Sequence, residues 1–239
     1  MPSELLKTIT YRQVIDLSHP IHPQIPLWQG DPSVEFETVA QLDSDGYYLR
    51  RFAMGEHSGT HINAPNSFFA DAVGIDAYRP ESLIVPAIAI DLQAQAATNP
   101  DYCLSIDDIL AWEQEYGQIP ENSVVLLHTN WQARWHDPQA FLNCDAQGGY
   151  HFPGFGADST RFLLAERAIA GVGTDTHGVD SGQDTTFSTN KQVLANQGIV
   201  LENLANLDQL PPRGSTLILG ILRLQNGSGS PLSVLALIP

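Results

Sequence analysis

The sequence predicts a mixed α/β or α+β fold, arranged as one domain over residues 1–239. Three observations predict this fold class. The chain is long enough for one large domain with a substantial core, short β-rich runs recur along its whole length, and segments with helical periodicity are fewer and fall later in the chain. The 19 glycines and 16 prolines are spread evenly, so no linker divides the chain.

Nine short β-rich runs predict strands, beginning close to the N-terminus. Runs 124–127 and 218–222 are continuous aliphatic sequences rather than alternating ones, which is typical of strands buried on both faces. We therefore expect a central sheet covered by helices. The predicted strands, in chain order, are 13–18, 34–39, 49–54, 83–91, 123–129, 169–174, 198–202, 216–223 and 233–237.

Four segments show the spacing of apolar residues that predicts a helix. The first begins at Ser105, whose side-chain oxygen suits the N-cap position. All four are short, and they separate the later strands. They span 105–116, 137–143, 157–167 and 190–197.

The chain carries 11 basic and 27 acidic residues, a net charge of −16. A field of this sign repels phosphate backbones and acidic lipid surfaces, so neither nucleic acid nor a membrane is an expected partner. The longest apolar stretches, 83–92 and 217–224, are far shorter than the ~20 residues that span a bilayer. Because the first residues lack the pattern of a secretory signal, we expect a cytoplasmic protein. Cys103 and Cys144 are expected to be buried or idle thiols.

The densest polar cluster is the segment 56–67, with the sequence EHSGTHINAPNS. His57 and His61 lie four residues apart, but Gly59 and Pro65 indicate a loop or one irregular turn rather than a helix. Two histidines held together by a tight loop can chelate a divalent metal ion, with the glycine letting the backbone fold behind them. Ordinary loop histidines satisfied by hydrogen bonds also explain the pair.

The same segment resembles the H-x-G-T-H-x-D-x-P-x-H signature of a family of metal-dependent cyclases and hydrolases that includes kynurenine formamidases and isatin hydrolases. The resemblance covers roughly residues 13–239 and implies one domain of the swivelling β/β/α type. It also implies a small-molecule substrate and assembly as a homodimer or homotetramer. Segments matching the family in order are DLS at 16–18, PLWQGDP at 26–32, YHFPGFG at 150–156, GTDT at 173–176, LENL at 201–204 and GSGSP at 227–231.

The resemblance, carried over residue by residue, makes His57 and His61 the first two metal ligands. The family's ligating aspartate falls on Asn63, whose amide oxygen can bind a divalent ion but brings no charge. The resemblance implies one zinc or manganese ion, and the loss of the carboxylate predicts weak binding or none. The family's second-metal ligands, a histidine and a glutamate, fall on Asn190 and Glu202, which are 12 positions apart.

Three residues make up the catalytic prediction. Glu202 is the remaining general base for water on the metal ion. Ser67 stands at the last histidine of the signature, and because a hydroxyl cannot carry protons as an imidazole does, we expect it to donate a hydrogen bond to substrate. His177 follows a strand end, where it either supplies the lost imidazole or merely lies near a turn held by Asp175 and Thr176.

Substrate-binding positions are predicted at Trp28, Phe68, Thr176 and Asn190. Trp28 either lines the pocket, as the resemblance implies, or packs in the core beside a Gly-Asp-Pro turn. An aromatic wall of Trp28, Phe68 and Phe69 would favour a flat aryl or heterocyclic ligand. The same three side chains are equally compatible with core packing.

Two functions follow from these observations. The first is a metal-dependent hydrolase of a small amide, lactam or lactone that uses metal-activated water. The alternative is a family member that no longer hydrolyses its ligand, and that binds a small molecule or catalyses a cyclisation or dehydration without metal. The intact histidine pair favours the hydrolase, and the replacement of three expected polar groups favours the alternative.

Overall fold

The computed structural model describes residues 8–239. Its strands are β1 (Gln13–Asp16), β2 (Glu35–Ala40), β3 (Leu49–Ala53), β4 (His61–Asn63), β5 (Ile84–Asp91), β6 (Cys103–Leu104), β7 (Val124–His128), β8 (Gly154–Phe155), β9 (Gly171–Thr174), β10 (Ile199–Glu202), β11 (Arg213–Ile221) and β12 (Gly229–Ile238). Its α-helices are α1 (Leu42–Asp45), α2 (Gln93–Thr98), α3 (Ile106–Tyr116), α4 (Pro138–Leu142), α5 (Ala157–Arg167) and α6 (Ser188–Leu194). Short 3-10 helices span Pro65–Ser67, Ile75–Ala77, Pro80–Leu83, Trp131–Arg134 and Leu207–Gln209.

Eight strands form one sheet in the order β1-β12-β11-β5-β7-β9-β10-β4. Because β12 also pairs with β4, the strands from β12 to β4 close into a barrel, and β1 pairs with β12 beside it. The neighbours β5, β7, β9 and β10 run parallel, whereas the other pairs of this sheet are antiparallel. The mixed α/β class predicted from the sequence is confirmed, with a barrel-like sheet.

Strand β7 shows how this sheet separates two apolar cores. Val124 and Leu126 pack inside the barrel, whereas Val125 and Leu127 face outward and pack with apolar residues of α3, α5 and α6. This alternation follows from the period of two along a strand. All four side chains have no exposed surface, and burying each contributes about 1.5–3 kcal/mol. The prediction that run 124–127 is buried on both faces is therefore confirmed.

Strand β11 differs from that prediction. Ser215, Leu217 and Leu219 are buried, but the residues between them are only partly buried, and Leu222 is 44% exposed. The expectation that run 218–222 is covered on both faces was wrong, because only one face of β11 packs into the barrel core.

The remaining predicted elements correspond closely to observed ones. Each of the nine predicted strands has a counterpart, and the predicted helix 157–167 has the bounds of α5. The helix predicted at 190–197 instead begins at Ser188 and ends at Leu194. The sequence did not predict the short elements α1, α2, β4, β6 and β8.

Both cysteines, Cys103 and Cys144, are exposed free thiols. Of the two alternatives, burial was wrong, because β6 and the segment after α4 lie at the surface; that the thiols are idle stays a prediction. In the range 8–239, no helix is long and apolar enough to cross a membrane.

Candidate active site

Strand β4 carries the centre of the candidate site. Ile62 belongs to the barrel core, so His61 and Asn63 point to the opposite face of the strand. The antiparallel partner β10 places Glu202 directly opposite His61. All three polar side chains are buried. The expected loop is thus right for His57, which precedes β4, but His61 is the first residue of the strand.

His61 is held by a hydrogen bond on each ring nitrogen. Its Nδ1 donates to the backbone oxygen of Gly59 at 2.9 Å, and its Nε2 lies 3.0 Å from Oε2 of Glu202. Gly59 adopts φ +67°, a left-handed conformation that favours glycine. Burial by itself would raise the pKa of Glu202, but the hydrogen bond and charge of His61 and the N–H of Val179 outweigh it and lower that pKa to about 2.

Two carboxylates fix the orientation of both asparagine amides. Nδ2 of Asn190 donates to Asp180 Oδ2 at 2.9 Å and to Glu202 Oε1 at 3.2 Å. Since only the NH₂ group can face two carboxylates, Oδ1 of Asn190 faces the other way and accepts from Asn63 Nδ2 at 2.9 Å. The amide oxygen of Asn63 is therefore turned toward His57, whose Nδ1 is 2.8 Å away.

Ser228, near the C-terminal end of the chain, fixes the orientation of the His57 ring. Its Nε2 lies 2.9 Å from Oγ of Ser228, and that hydroxyl donates to Glu56 Oε2 at 2.7 Å. Because the Ser228 hydroxyl proton is directed to the carboxylate, Nε2 of His57 is the donor to Ser228. Burial and the neighbouring His61 lower the pKa of His57, so the ring is neutral and its Nδ1 carries a lone pair.

The inner nitrogens of both histidines therefore face other acceptors. Nδ1 of His57 faces the Asn63 oxygen, and Nε2 of His61 faces Glu202, because the outer N–H of each ring is already donated. Each pair needs a proton or a cation between its two atoms. A proton on Nε2 of His61 gives the ion pair that lowers the pKa of Glu202, and a metal ion could take the place of that proton. Histidine ligands of metal ions have this arrangement, with the second N–H donated to a carbonyl or an acidic group.

The donor set fits one divalent ion. The two histidine rings are 5.2 Å apart between centroids and nearly perpendicular, and two imidazoles on one tetrahedral zinc ion have centroids about 5 Å apart. Within residues 8–239, no three His, Cys, Asp or Glu side chains are grouped so that they could hold a metal ion. The oxygen of Asn63, 2.8 Å from Nδ1 of His57, is a further oxygen donor beside the histidine pair, and because it is neutral it would bind a metal ion weakly.

Gly229 lets His57 reach this position. A Cβ at residue 229 would lie 2.7 Å from Cε1 of His57 and 2.7 Å from the backbone oxygen of Ile62. We expect Gly229→Ala to displace His57 and to weaken zinc binding by about tenfold or more, comparable to the loss of an orienting contact. Calorimetric titration with zinc measures this effect.

The matched control is Gly220→Ala. A Cβ at Gly220 meets nothing closer than 3.4 Å, so this variant should bind zinc like the unaltered protein. Wild-type zinc affinity in Gly229→Ala would contradict the role assigned to this glycine.

A cavity of about 530 Å³ opens beside the histidine pair. Its polar end is formed by His57, His61, Asn63, Asn190 and Glu202. Its walls are aromatic, formed by Trp28, Phe68, Tyr150, Phe152 and Phe187. A cavity of this size, apolar on its walls and polar at one end, suits a small organic ligand.

Three stacked rings form one wall of the cavity. Trp28 lies between Tyr150, at 4.1 Å between ring centroids, and His177, at 5.1 Å with an interplanar angle of 3°. Burial and the charge of His61 lower the pKa of His177 to about 4, so its ring is neutral near pH 7. Trp28 thus lines the pocket and also packs in an aromatic cluster. Both alternatives that the sequence left open for this residue are therefore partly right.

Some of the other predicted site residues line the cavity and others do not. Phe68 lines the cavity, but Phe69 packs against the outer core instead. Ser67 lines the cavity, yet its hydroxyl is directed at the backbone oxygens of Ala64 and Ser228. Thr176 lies outside the lining, and its hydroxyl contacts Thr174 and Gly178. Substrate contact by Thr176 stays a prediction that this position does not favour.

Sequence reasoning missed several residues of the site. The sequence did not single out Asp180, but it is buried, lines the cavity and anchors Asn190. Burial raises the pKa of Asp180 to about 6. Tyr150 and Ser228 lie in segments that resemble the family, although nothing local in the sequence indicates their contacts with Trp28 and His57. Phe187, beside Phe68, had no signal at all.

Comparison with known proteins agrees with this architecture. The family model described as Putative cyclase matches residues 15–181. An isatin hydrolase from Roseibium aggregatum is 34% identical, over 95% of this chain and 92% of that protein. A kynurenine formamidase from Erythrobacter litoralis is 27% identical, over 84% of this chain and 82% of that protein. The crystal structure of an isatin hydrolase bound to the product analogue thioisatinate has a TM-score of 0.89 and 35% identity, over 95% of this chain and 92% of that one. The chain belongs to the cyclase family.

Proposed function

We propose that this protein hydrolyses a small amide, lactam or lactone with the help of one divalent metal ion, zinc or manganese. It is a metal-dependent hydrolase of the cyclase family. The observation that carries the proposal is the pair of inner histidine nitrogens, His57 Nδ1 and His61 Nε2, each facing an acceptor at one end of an aromatic cavity. His57, His61 and Asn63 are the proposed ligands.

A divalent ion bound there would lower the pKa of water toward neutrality and polarise a carbonyl oxygen. The chain's own residues supply the rest of the reaction. Glu202 is ionised and lines the cavity beside His61, where it accepts the proton of the attacking water. Asn190 holds Glu202 and Asn63 in place by its two hydrogen bonds. The neutral ring of His177 holds Trp28 against the cavity.

The cavity suggests which substrates to test first. Its volume of about 530 Å³ and its aromatic walls suit a molecule of one or two fused rings. The relatives are named isatin hydrolase and kynurenine formamidase, so isatin and N-formylated aromatic amines are the proposed starting compounds.

We also propose a homodimer or homotetramer. The hairpin of β2 and β3 and the turn between them expose large apolar side chains to solvent, and such a patch is typical of a protein interface. Light scattering of the purified protein, with a mass of one chain as the contradicting result, tests this proposal. The exposed side chains are Val39, Leu42, Tyr47, Tyr48, Leu49 and Phe52.

The test of the function uses protein depleted of metal and titrated by calorimetry with zinc and with manganese. We expect one ion to bind per chain and ring opening of isatin or a related lactam to rise with its occupancy. If neither ion binds and no amide, lactam or lactone is opened, the hydrolase proposal is wrong. The alternative of a small-ligand site without metal would then account for the aromatic cavity and its polar end.

A further inference from the structure

The lining of the cavity contains several carboxylates. Asp31, Asp180, Asp184 and Glu202 all border it, whereas no lysine or arginine of the described residues does. The histidines at its polar end are the proposed metal site, so they offer no separate positive group to a ligand. A ligand that enters therefore meets negative charge along the walls.

Two of these carboxylates carry a lasting negative charge near the aromatic walls. Asp184 accepts hydrogen bonds from the backbone and side chains of Thr186 and Ser188. Burial raises its pKa, but these bonds outweigh burial and hold the pKa below its usual value. Asp31 is exposed, and its backbone N–H donates to the backbone oxygen of Trp28 at 3.0 Å, so it borders the cavity beside the stacked rings.

The aromatic walls, like these carboxylates, favour cationic or uncharged groups over anionic ones. The faces of tyrosine, phenylalanine and tryptophan rings attract cations, and they stack equally well on uncharged rings. Phe68 and Phe187 pack together with centroids 5.4 Å apart, and both line the cavity with Tyr150. An anionic group on the ring would lose part of its water here and find no lysine or arginine among the described lining residues, which costs binding energy.

We propose that the cavity accepts a flat ring whose substituents are uncharged or cationic and rejects one that carries a carboxylate, with Asp31 as a specificity-determining residue. The inference rests on the proposed function and deepens it. Hydrolysis breaks the C–N bond of an amide, adds the oxygen of water to the acyl carbon and a proton to the nitrogen, and the new acid loses a proton to solvent. The product is thus an anion.

The test measures binding alone, so it does not depend on hydrolysis. Three oxindoles, which are stable lactams of one ring size, differ only in a substituent at the benzene ring: none, a carboxylate or an aminomethyl group. Calorimetry with metal-loaded protein should find the carboxylate about fivefold to tenfold weaker than the unsubstituted ring, and the aminomethyl compound at least as tight as it. Asp31→Asn should reduce the penalty on the carboxylate about threefold, and Asp31→Lys should reduce it further.

The matched control is Asp43→Asn, which removes the same charge from the exposed helix α1 outside the cavity. It should leave the ratio of the three affinities unchanged. Equal binding of the three compounds, tightest binding of the carboxylate, or no binding of any of them would overturn the inference. Charge-ordered binding in a protein that opens no amide, lactam or lactone would keep the inference and reject the hydrolase proposal, so the two failures are distinguishable.

Discussion

Replacing His61 with alanine is expected to abolish metal binding and to lower the rate of amide hydrolysis by about a thousandfold. Nε2 of His61 is the nitrogen turned toward Glu202, and the bond from Nδ1 to the Gly59 oxygen fixes that tautomer. Without this ring, only His57 and a neutral amide oxygen remain as ligands. Two such donors hold a divalent ion poorly, because tight sites use three or four. Elemental analysis and the rate of lactam opening measure the two effects.

A matched control shows whether the effect is specific to His61 or follows from the loss of any histidine. His136 is exposed and does not line the cavity, so His136→Ala should keep both metal and activity. Because His61 is buried, thermal unfolding of His61→Ala must show a folded protein, and His61→Gln, which keeps much of the side-chain volume, serves as a second variant. A folded variant that retains one ion per chain and full activity would show that the metal site lies elsewhere.

Helices whose ends are fixed by neighbouring residues could be predicted from the sequence. Helices whose ends are fixed by residues outside the helix were predicted less well. Helix α3 was predicted correctly because its start is local: Ser105 and Asp108 bond reciprocally to each other's backbone N–H. Helix α6 was predicted to begin two residues too late. Its N-terminal N–H groups are bound by Asp180 and Asp184, which precede it outside the helix. Phe187 occupies the N-cap position with a left-handed φ of +56° and makes no side-chain cap bond, so the local sequence does not indicate where this helix begins.

The site was predictable only where its residues are close in the chain. His57 and His61 are neighbours in one segment, so their spacing indicated a metal pair. The contact of His61 with Glu202 depends on the register of β4 and β10, and the contact of His57 with Ser228 joins residues 171 positions apart. The resemblance to a family identified Glu202 where spacing could not. It gave no indication that Asp180 fixes both asparagine amides.

The second large effect concerns the residue that replaces the family's ligating aspartate. Asn63→Asp is expected to tighten zinc binding by about tenfold to a hundredfold, because a carboxylate adds a full charge next to the ion. The same change should destabilise the metal-free protein, since the new carboxylate faces Oδ1 of Asn190 where an amide N–H now donates. The rise in melting temperature on adding zinc should therefore be larger than in the unaltered protein.

Calorimetry and thermal unfolding with and without zinc measure both parts of this expectation. Asn196→Asp is the control, because Asn196 is exposed and does not line the cavity, so the substitution adds the same charge outside the site. Zinc affinity that stays unchanged or falls in Asn63→Asp would mean that residue 63 is not a ligand. If affinity rises only when Asn190→His is added, the fixed amide of Asn190, and not the missing charge at residue 63, is what limits metal binding.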